Sequence, residues 1–257
     1  MRRVLAAAGG GLVRTLMFRL YQRAEKLIVP TLRFSQDIYA EKLIASLPEG
    51  GRWLDLGCGH QFFPEWMAAE RAAVLSSKAA AFGVDLDWES LRGHPDIRNR
   101  TLGDLARLPF RAGSFDFVTA NMVVEHLEDP AAALGEIHRV LKPKGVFLFH
   151  TPNVRHWVIR LAALTPEGVK RKAAAFLHER KEADIFPAHY RMNTPEAVRE
   201  LAEKNGFRVA ELAMVNTSAT FVMLGPVALL ELLVLRFLET RRGERHRTII
   251  IARLEKR

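Results

Sequence analysis

Along the 257-residue chain, hydrophobic positions switch between a period that suits strands and a period that suits helices. Short apolar runs predict strands at Arg52–Leu56, "AFGVDL", Arg98–Leu102, "SFDFVTANMVV", "GVFLFHT", "FRVAELAMV" and "RTIIIARL". Helical patterns lie between them. "SQDIYAEKLIASL" puts Ile38, Ile44 and Leu47 on one side and is stopped by "PEGG"; a second helix is predicted over about Pro64–Ala80 and a third over "PAAALGEIHRVL". In "TPEAVRELAEKNG" Thr194 is placed to cap the helix, Pro195 falls in its first turn and Gly206 follows its end. Strands alternating with helices predict an α/β fold, a mostly parallel sheet with helices on both faces. No internal repeat is present.

Two stretches stand outside the alternation and read as insertions, at about 154–188 (with "VKRKAAAFLHERKEAD") and 217–240. Ahead of Ser35, Leu12, Leu16, Leu20 and Leu27 recur near helical spacing with Arg14, Arg19, Arg23 and Lys26 between them. That pattern makes residues 1–34 a basic amphipathic segment preceding a domain over 35–257, and the arginines interrupt it too early for a signal peptide. Only Thr220, Gly225, Pro226 and Glu231 break the apolar run from Ala219 to Leu235. Its length is at the lower edge for crossing a bilayer, and Glu231 makes crossing costly. The expected element is a helix from near Pro226 into "RRGERHR", lying in a membrane interface or packed on the core or a dimer partner.

About half the residues are apolar, which excludes a disordered chain, and the single Cys58 excludes an internal disulfide. The nine histidines are scattered, with no metal-ligand spacing among them. The net charge of +9 sits at the two ends: residues 1–42 and 236–257 each carry eight Lys/Arg against three Asp/Glu, leaving the middle close to neutral. Such ends suit phosphate-rich partners, either nucleic acid or an anionic membrane surface.

Chemistry concentrates in "RWLDLGCGHQ", Arg52–Gln61. Glycines directly after a strand admit a close ligand, and in open α/β sheets ligands bind at the carboxyl ends of the strands. Phe62 stands where a dinucleotide fingerprint needs its third glycine, and no Lys-Ser/Thr follows, which excludes a P-loop. Asp85, ending the next strand in "GVDLD", is placed to accept from both hydroxyls of a ribose. Asp104, in "GDLARLPFRAGSFDFV", is placed to accept from a purine amine, with Leu105 beside the ring.

"LDLGCG", "GVDLD", "GDLARLPFRAGSFDFV", "VVEHLEDP" and "EIHRVLKPKGVFLFHTPN" occur in that order. The series resembles the successive motifs of class I S-adenosylmethionine-dependent methyltransferases, most similarly the type 11 and type 23 methyltransferase-domain group, over about residues 36–215 and the strand at 247–254. The resemblance implies a Rossmann-like seven-stranded sheet of order 3-2-1-4-5-7-6 with strand 7 antiparallel, and S-adenosyl-L-methionine as cofactor. It implies that Asp55, Gly57 and Gly59 line the methionine portion, Asp85 the ribose, Leu86, Asp104 and Leu105 the adenine, and Asn121 and Met122 the sulfonium.

Methyl transfer to a hydroxyl also needs a proton acceptor. His126 in "VVEHLEDP" is one candidate and His150, within a strand, another with an equal reading as core. In "FPAHYRMNT", where the family often closes over its substrate, His189 is the preferred base, Tyr190 a stacking or hydrogen-bonding partner and Arg191 an anion holder. O-methylation of a small-molecule or lipid-linked acceptor is the leading expectation, in the cytoplasm or on the inner face of the membrane. Carbon methylation of a quinone precursor is an alternative. RNA methylation is disfavoured because "NMVVEH" stands where base-amine methyltransferases carry their Pro-Pro motif. A catalytically silent cofactor-binding protein is the non-enzyme alternative.

Overall fold

The structure is a computed structural model describing residues 12–163, 187–217, 222 and 225–257. Its strands are β1 (Arg52–Leu56), β2 (Ala80–Asp85), β3 (Asn99–Leu102), β4 (Phe115–Asn121), β5 (Leu141–Pro152), β6 (Phe207–Val215) and β7 (Ile249–Lys256). They form one sheet of order β3-β2-β1-β4-β5-β7-β6. β1 pairs in parallel with β2 and β4, β2 with β3, and β4 with β5. β7 runs the other way: Thr248 at its start bonds Val215 at the end of β6, and Arg257 just past its end bonds Gly206 ahead of β6. Order and directions are those the motif series implied. β1 and β4 are buried on both faces over Trp53–Leu56 and Phe117–Ala120, which is why consecutive apolar residues, Trp53-Leu54 and Phe117-Val118, stand where a half-exposed strand would alternate.

The helices are α1 (Leu12–Ile28), α2 (Ser35–Ser46), α3 (Ala68–Ser76), α4 (Trp88–Gly93), α5 (Pro130–Val140), α6 (Trp157–Ala163), α7 (Pro195–Lys204) and α8 (Pro226–Leu238). Local chemistry sets their starts. Asp87 caps α4 through the amides of Glu89 and Ser90, Asp129 caps α5 with Pro130 in the first turn, and Thr194 caps α7 as its sequence predicts.

Three predicted boundaries move for identifiable reasons. The helix expected over Pro64–Ala80 is a 3-10 turn at Glu65–Met67 followed by α3, which ends where the Ser76 and Ser77 hydroxyls donate to the Ala73 and Val74 carbonyls. β4 stops at Asn121 because Met122 turns left-handed, at φ +58°. α8 ends at Leu238, short of "RRGERHR". "VKRKAAAFLHERKEAD" lies outside the described residues.

Packing divides the chain into two units. The first, Gln36–Pro152, Ala188–Ala213 and Ile250–Arg257, holds most of the sheet around Trp53, Phe115, Phe117, Phe147, Phe149 and Phe207. The second, Met1–Ser35, Asn153–Pro187 and Met214–Ile249, has a smaller core where Tyr21 and Val29 meet Ala228, Leu232, Leu235 and Leu238. Arg247 terminates α8 in that unit. Its guanidinium donates to the carbonyls of Leu238 (3.0 Å), Glu239 (3.1 Å) and Met214 (2.9 Å). Arg247→Ala should therefore destabilise the protein by about 2–4 kcal/mol, since three charge-assisted bonds are lost at a helix end. Urea melts check this, and a loss below about 1 kcal/mol would show that water replaces the guanidinium.

Candidate active site

The strand order reverses between β1 and β4, so the chain leaves the carboxyl end of β1 towards β2 and that of β4 towards β5, the place where open α/β sheets bind their ligands. The glycine loop stands at its edge. Gly57 is left-handed (φ +59°), and a Cβ there would come 2.5 Å from Val123 Cγ2. Gly59 is left-handed too (φ +55°), but nothing lies within 4 Å of where its Cβ would stand. One glycine thus makes room for the protein, and the other keeps open space beside the loop. Cys58 between them is buried, its thiol pushed up by desolvation and wedged against Gly83, where an added Cβ would lie 2.6 Å from Sγ.

Asp85 closes the loop from β2. Its Oδ2 accepts from the Gly59 amide at 2.8 Å and its Oδ1 from the Asp87 amide at 2.9 Å. A carboxylate offers about four acceptor positions, so roughly two stay available to a ligand. Leu86, next in sequence, is 60% exposed, while Leu105 is buried. Asp104 is exposed, its Oδ1 accepting from the Ala106 amide. At the end of β4, Asn121 exchanges two bonds with Gln36 of α2, at 3.2 and 3.1 Å.

Below the loop Asp55 belongs to a polar cluster whose other members, Trp53 and Thr119, sequence patterns did not single out. Thr119 Oγ1 accepts from Trp53 Nε1 (2.7 Å) and donates to Asp55 Oδ1 (2.5 Å). Burial pushes the Asp55 carboxyl up to about 7, against the lowering effect of the Thr119 bond and with a further push from the Asp85 charge. The Tyr39 ring lies 5.4 Å from that of His150, and both residues are buried. Desolvation takes the His150 imidazole down to about 3, so it stays neutral and packed; the core reading of this histidine is the one the structure bears out.

The "AHYRMN" segment is tied to the turn after β4. The amides of His189 and Tyr190 both donate to the Glu125 carbonyl, at 2.8 and 3.1 Å, and Arg191 Nη1 donates to Glu128 O at 2.6 Å. Thr151 Oγ1 donates to Glu125 Oε2 (2.9 Å) and accepts from Asn193 Nδ2 (2.8 Å). The segment is thereby held beside His126, the neighbour of Glu125. His189 is exposed, His126 half-buried, and Tyr190 sits left-handed at φ +53°. Burial, reinforced by the Glu125 charge, raises the Tyr190 phenol and keeps it protonated at neutral pH. Arg191 spends part of its guanidinium on the Glu128 carbonyl, a structural tie not foreseen in its reading as an anion holder.

Tyr39, Thr119, Gln36, Glu125 and Asn193 were missed because their partners are far away in sequence. Gln36 and Asn121 are 85 positions apart, and Asn193 and Thr151 are 42 apart.

A family model described as a methyltransferase domain matches residues 21–212. The ubiquinone biosynthesis O-methyltransferase of Cereibacter sphaeroides is 37% identical over 144 residues, 53% of this chain and 57% of that protein. Its namesake from Marinobacter nauticus is 31% identical over 167 residues, 61% of this chain and 67% of that protein. The chain spans from about a third to two thirds of the length of the curated relatives it matches. Among solved structures, an S-adenosylmethionine-dependent methyltransferase from Mesorhizobium loti aligns at TM-score 0.54 and 19% identity, over 84% of this chain and 96% of its own. Another, from Thermotoga maritima, aligns at TM-score 0.52 and 19% identity over 93% and 95%. At that identity these two share the fold.

The raised Asp55 carboxyl sets a pH dependence. The folded protein holds a proton there up to about pH 7, whereas an unfolded aspartate loses it near pH 4. Between those values the folded state binds more protons, so wild-type stability falls as pH rises. Asp55→Asn keeps an acceptor for Thr119 and has no such proton. Thermal melts should show the variant gaining on wild type from pH 4.5 to 7.5, and an equal difference at both ends would contradict a protonated Asp55.

Proposed function

The chain belongs to the methyltransferase-domain family, and from that premise we propose that it transfers a methyl group from S-adenosyl-L-methionine to an oxygen of a small-molecule or lipid-linked acceptor. The observation carrying the cofactor reading is Asp85, with acceptor positions to spare beside the open space at Gly59. When bound, S-adenosylmethionine supplies an electrophilic methyl on a sulfonium. In this reading the Asp85 carboxylate takes the ribose hydroxyls, and exposed Leu86 and Asp104 present an apolar flank and an acceptor to the adenine, with Leu105 behind them. Asp55, Gly57 and Gly59 line the methionine portion. Asn121, oriented by Gln36, and Met122 border the reacting centre.

The oxygen assignment draws support from the relatives named as O-methyltransferases. Transfer to a hydroxyl leaves a proton to be taken up, and positioning supplies much of the remaining acceleration. His189, exposed and anchored through its backbone to Glu125, takes that proton in this reading, with His126 as the neighbouring alternative. Tyr190 keeps its own proton and acts as a hydrogen-bond donor to the acceptor. The enzyme works in the cytoplasm or on the inner face of the membrane.

Incubation with methyl-labelled S-adenosylmethionine and a fractionated cell extract tests the acceptor class. Label should enter small-molecule or lipid fractions as a base-stable ether, and label confined to RNA would overturn the proposal. For the cofactor, Asp85→Ala should weaken S-adenosylmethionine roughly tenfold to a hundredfold, the equivalent of ~1.5–3 kcal/mol in lost charge-assisted bonds. Calorimetry giving wild-type affinity would remove Asp85 from the site. For catalysis, His189→Ala should lower turnover by about 10²–10⁴ while cofactor affinity holds. Wild-type turnover in that variant would leave His126 as the base.

A further inference from the structure

We propose that the outward face of α8, with the arginines that follow it, is a docking surface for an anionic lipid bilayer. The inference extends the reading of a peripheral enzyme to a named surface, and it does not depend on methyl transfer.

α8 is apolar on both sides. Ala228, Leu232, Leu235 and Leu238 are buried in the core shared with Tyr21 and Val29. Val227, Leu229, Leu230, Leu233, Val234 and Phe237 point away from that core, with Leu230 65%, Leu233 54% and Phe237 53% exposed. Exposed apolar side chains so concentrated on one helix mark an interaction surface. Glu231 is the helix's single acid, and it is buried on the opposite face at 4% exposure. The outward face therefore carries no negative charge.

Positive charge borders it. Arg236 in the last turn and Arg241, Arg242 and Arg245 beyond are exposed, against one exposed acid in that stretch, Glu244. Along one flank, α6 and α8 enclose a hollow of about 600 Å³ whose walls include Trp157, Val234 and Phe237, with Arg155, Arg160 and His246 around them. Tryptophan and arginine beside aliphatic side chains suit the boundary between headgroups and acyl chains. Among the described residues no helix is long and apolar enough to cross a bilayer.

Charge selects the bilayer over a second copy of the chain. A two-fold dimer gives these arginines no counter-charge: with the two helices parallel the clusters face each other, and with them antiparallel each lies against the partner's first turn, which carries no acid. Anionic headgroups give the same arginines a counter-charge, with each base near the surface contributing roughly fivefold in affinity.

Flotation of the full chain with vesicles tests the proposal. Wild type should float with phosphatidylglycerol vesicles at low ionic strength and remain below with phosphatidylcholine. Leu230→Glu with Leu233→Glu should reduce flotation at least tenfold while circular dichroism and the thermal midpoint stay those of wild type, both side chains being exposed. Arg241→Gln with Arg242→Gln, which leaves the apolar face intact, should lose flotation by an order of magnitude or more and weaken its salt dependence. A wild type that does not float, or leucine variants that float normally, would overturn the proposal. So would a dimer in sedimentation velocity that the leucine variant splits while vesicle binding is absent. S-adenosylmethionine affinity measured in parallel reports on the active site separately.

Discussion

Thr119 bridges two strands with one hydroxyl, accepting from the Trp53 indole and donating to Asp55, at the point where the order of the sheet reverses. The three residues are buried, so the hydroxyl must satisfy both neighbours at once, and it can do so in one orientation. That constraint locks the register of β1 against β4 near their carboxyl ends. Everything the glycine loop does follows from where β1 releases the chain: Gly57 turns under Val123, and Gly59 reaches the Asp85 carboxylate.

The opposite wall of the site is organised by backbone instead. One carbonyl, Glu125 O, receives the amides of His189 and Tyr190, while the Glu125 side chain accepts from Thr151. Three segments distant in sequence thus converge on one residue of a 3-10 turn. Met122 and Tyr190, both left-handed without being glycine, flank this turn, and such strain is held only where surrounding bonds over-determine the backbone. The convergence makes the turn after β4 the mechanical link between the end of the sheet and the segment ahead of α7.

Much of the fold could be read from the chain because its signals are local. The strand at Arg52–Leu56 and the cap at Thr194 stand where period and capping chemistry place them. Errors arose where a competing local bond intervened, as with the serines that shorten α3. The site was half legible. Its loop and the carboxylates at strand ends follow from topology, whereas Gln36, Tyr39 and Thr119 look like ordinary helix and strand residues until the sheet brings their partners to them. α8 is a further case: a helix apolar all round does not declare which side faces outward, and only the packing against Tyr21 and Val29 turns Glu231 inward.

Cys58 has a practical corollary. It is the chain's one sulfhydryl, and its fit against Gly83 under the glycine loop leaves it without access to solvent and without a ready thiolate. Maleimide dyes and nitroxide labels react through the thiolate, so they will pass the natural protein by. A cysteine introduced anywhere on its surface becomes a unique address for a fluorophore or spin probe, with the native residue left in place.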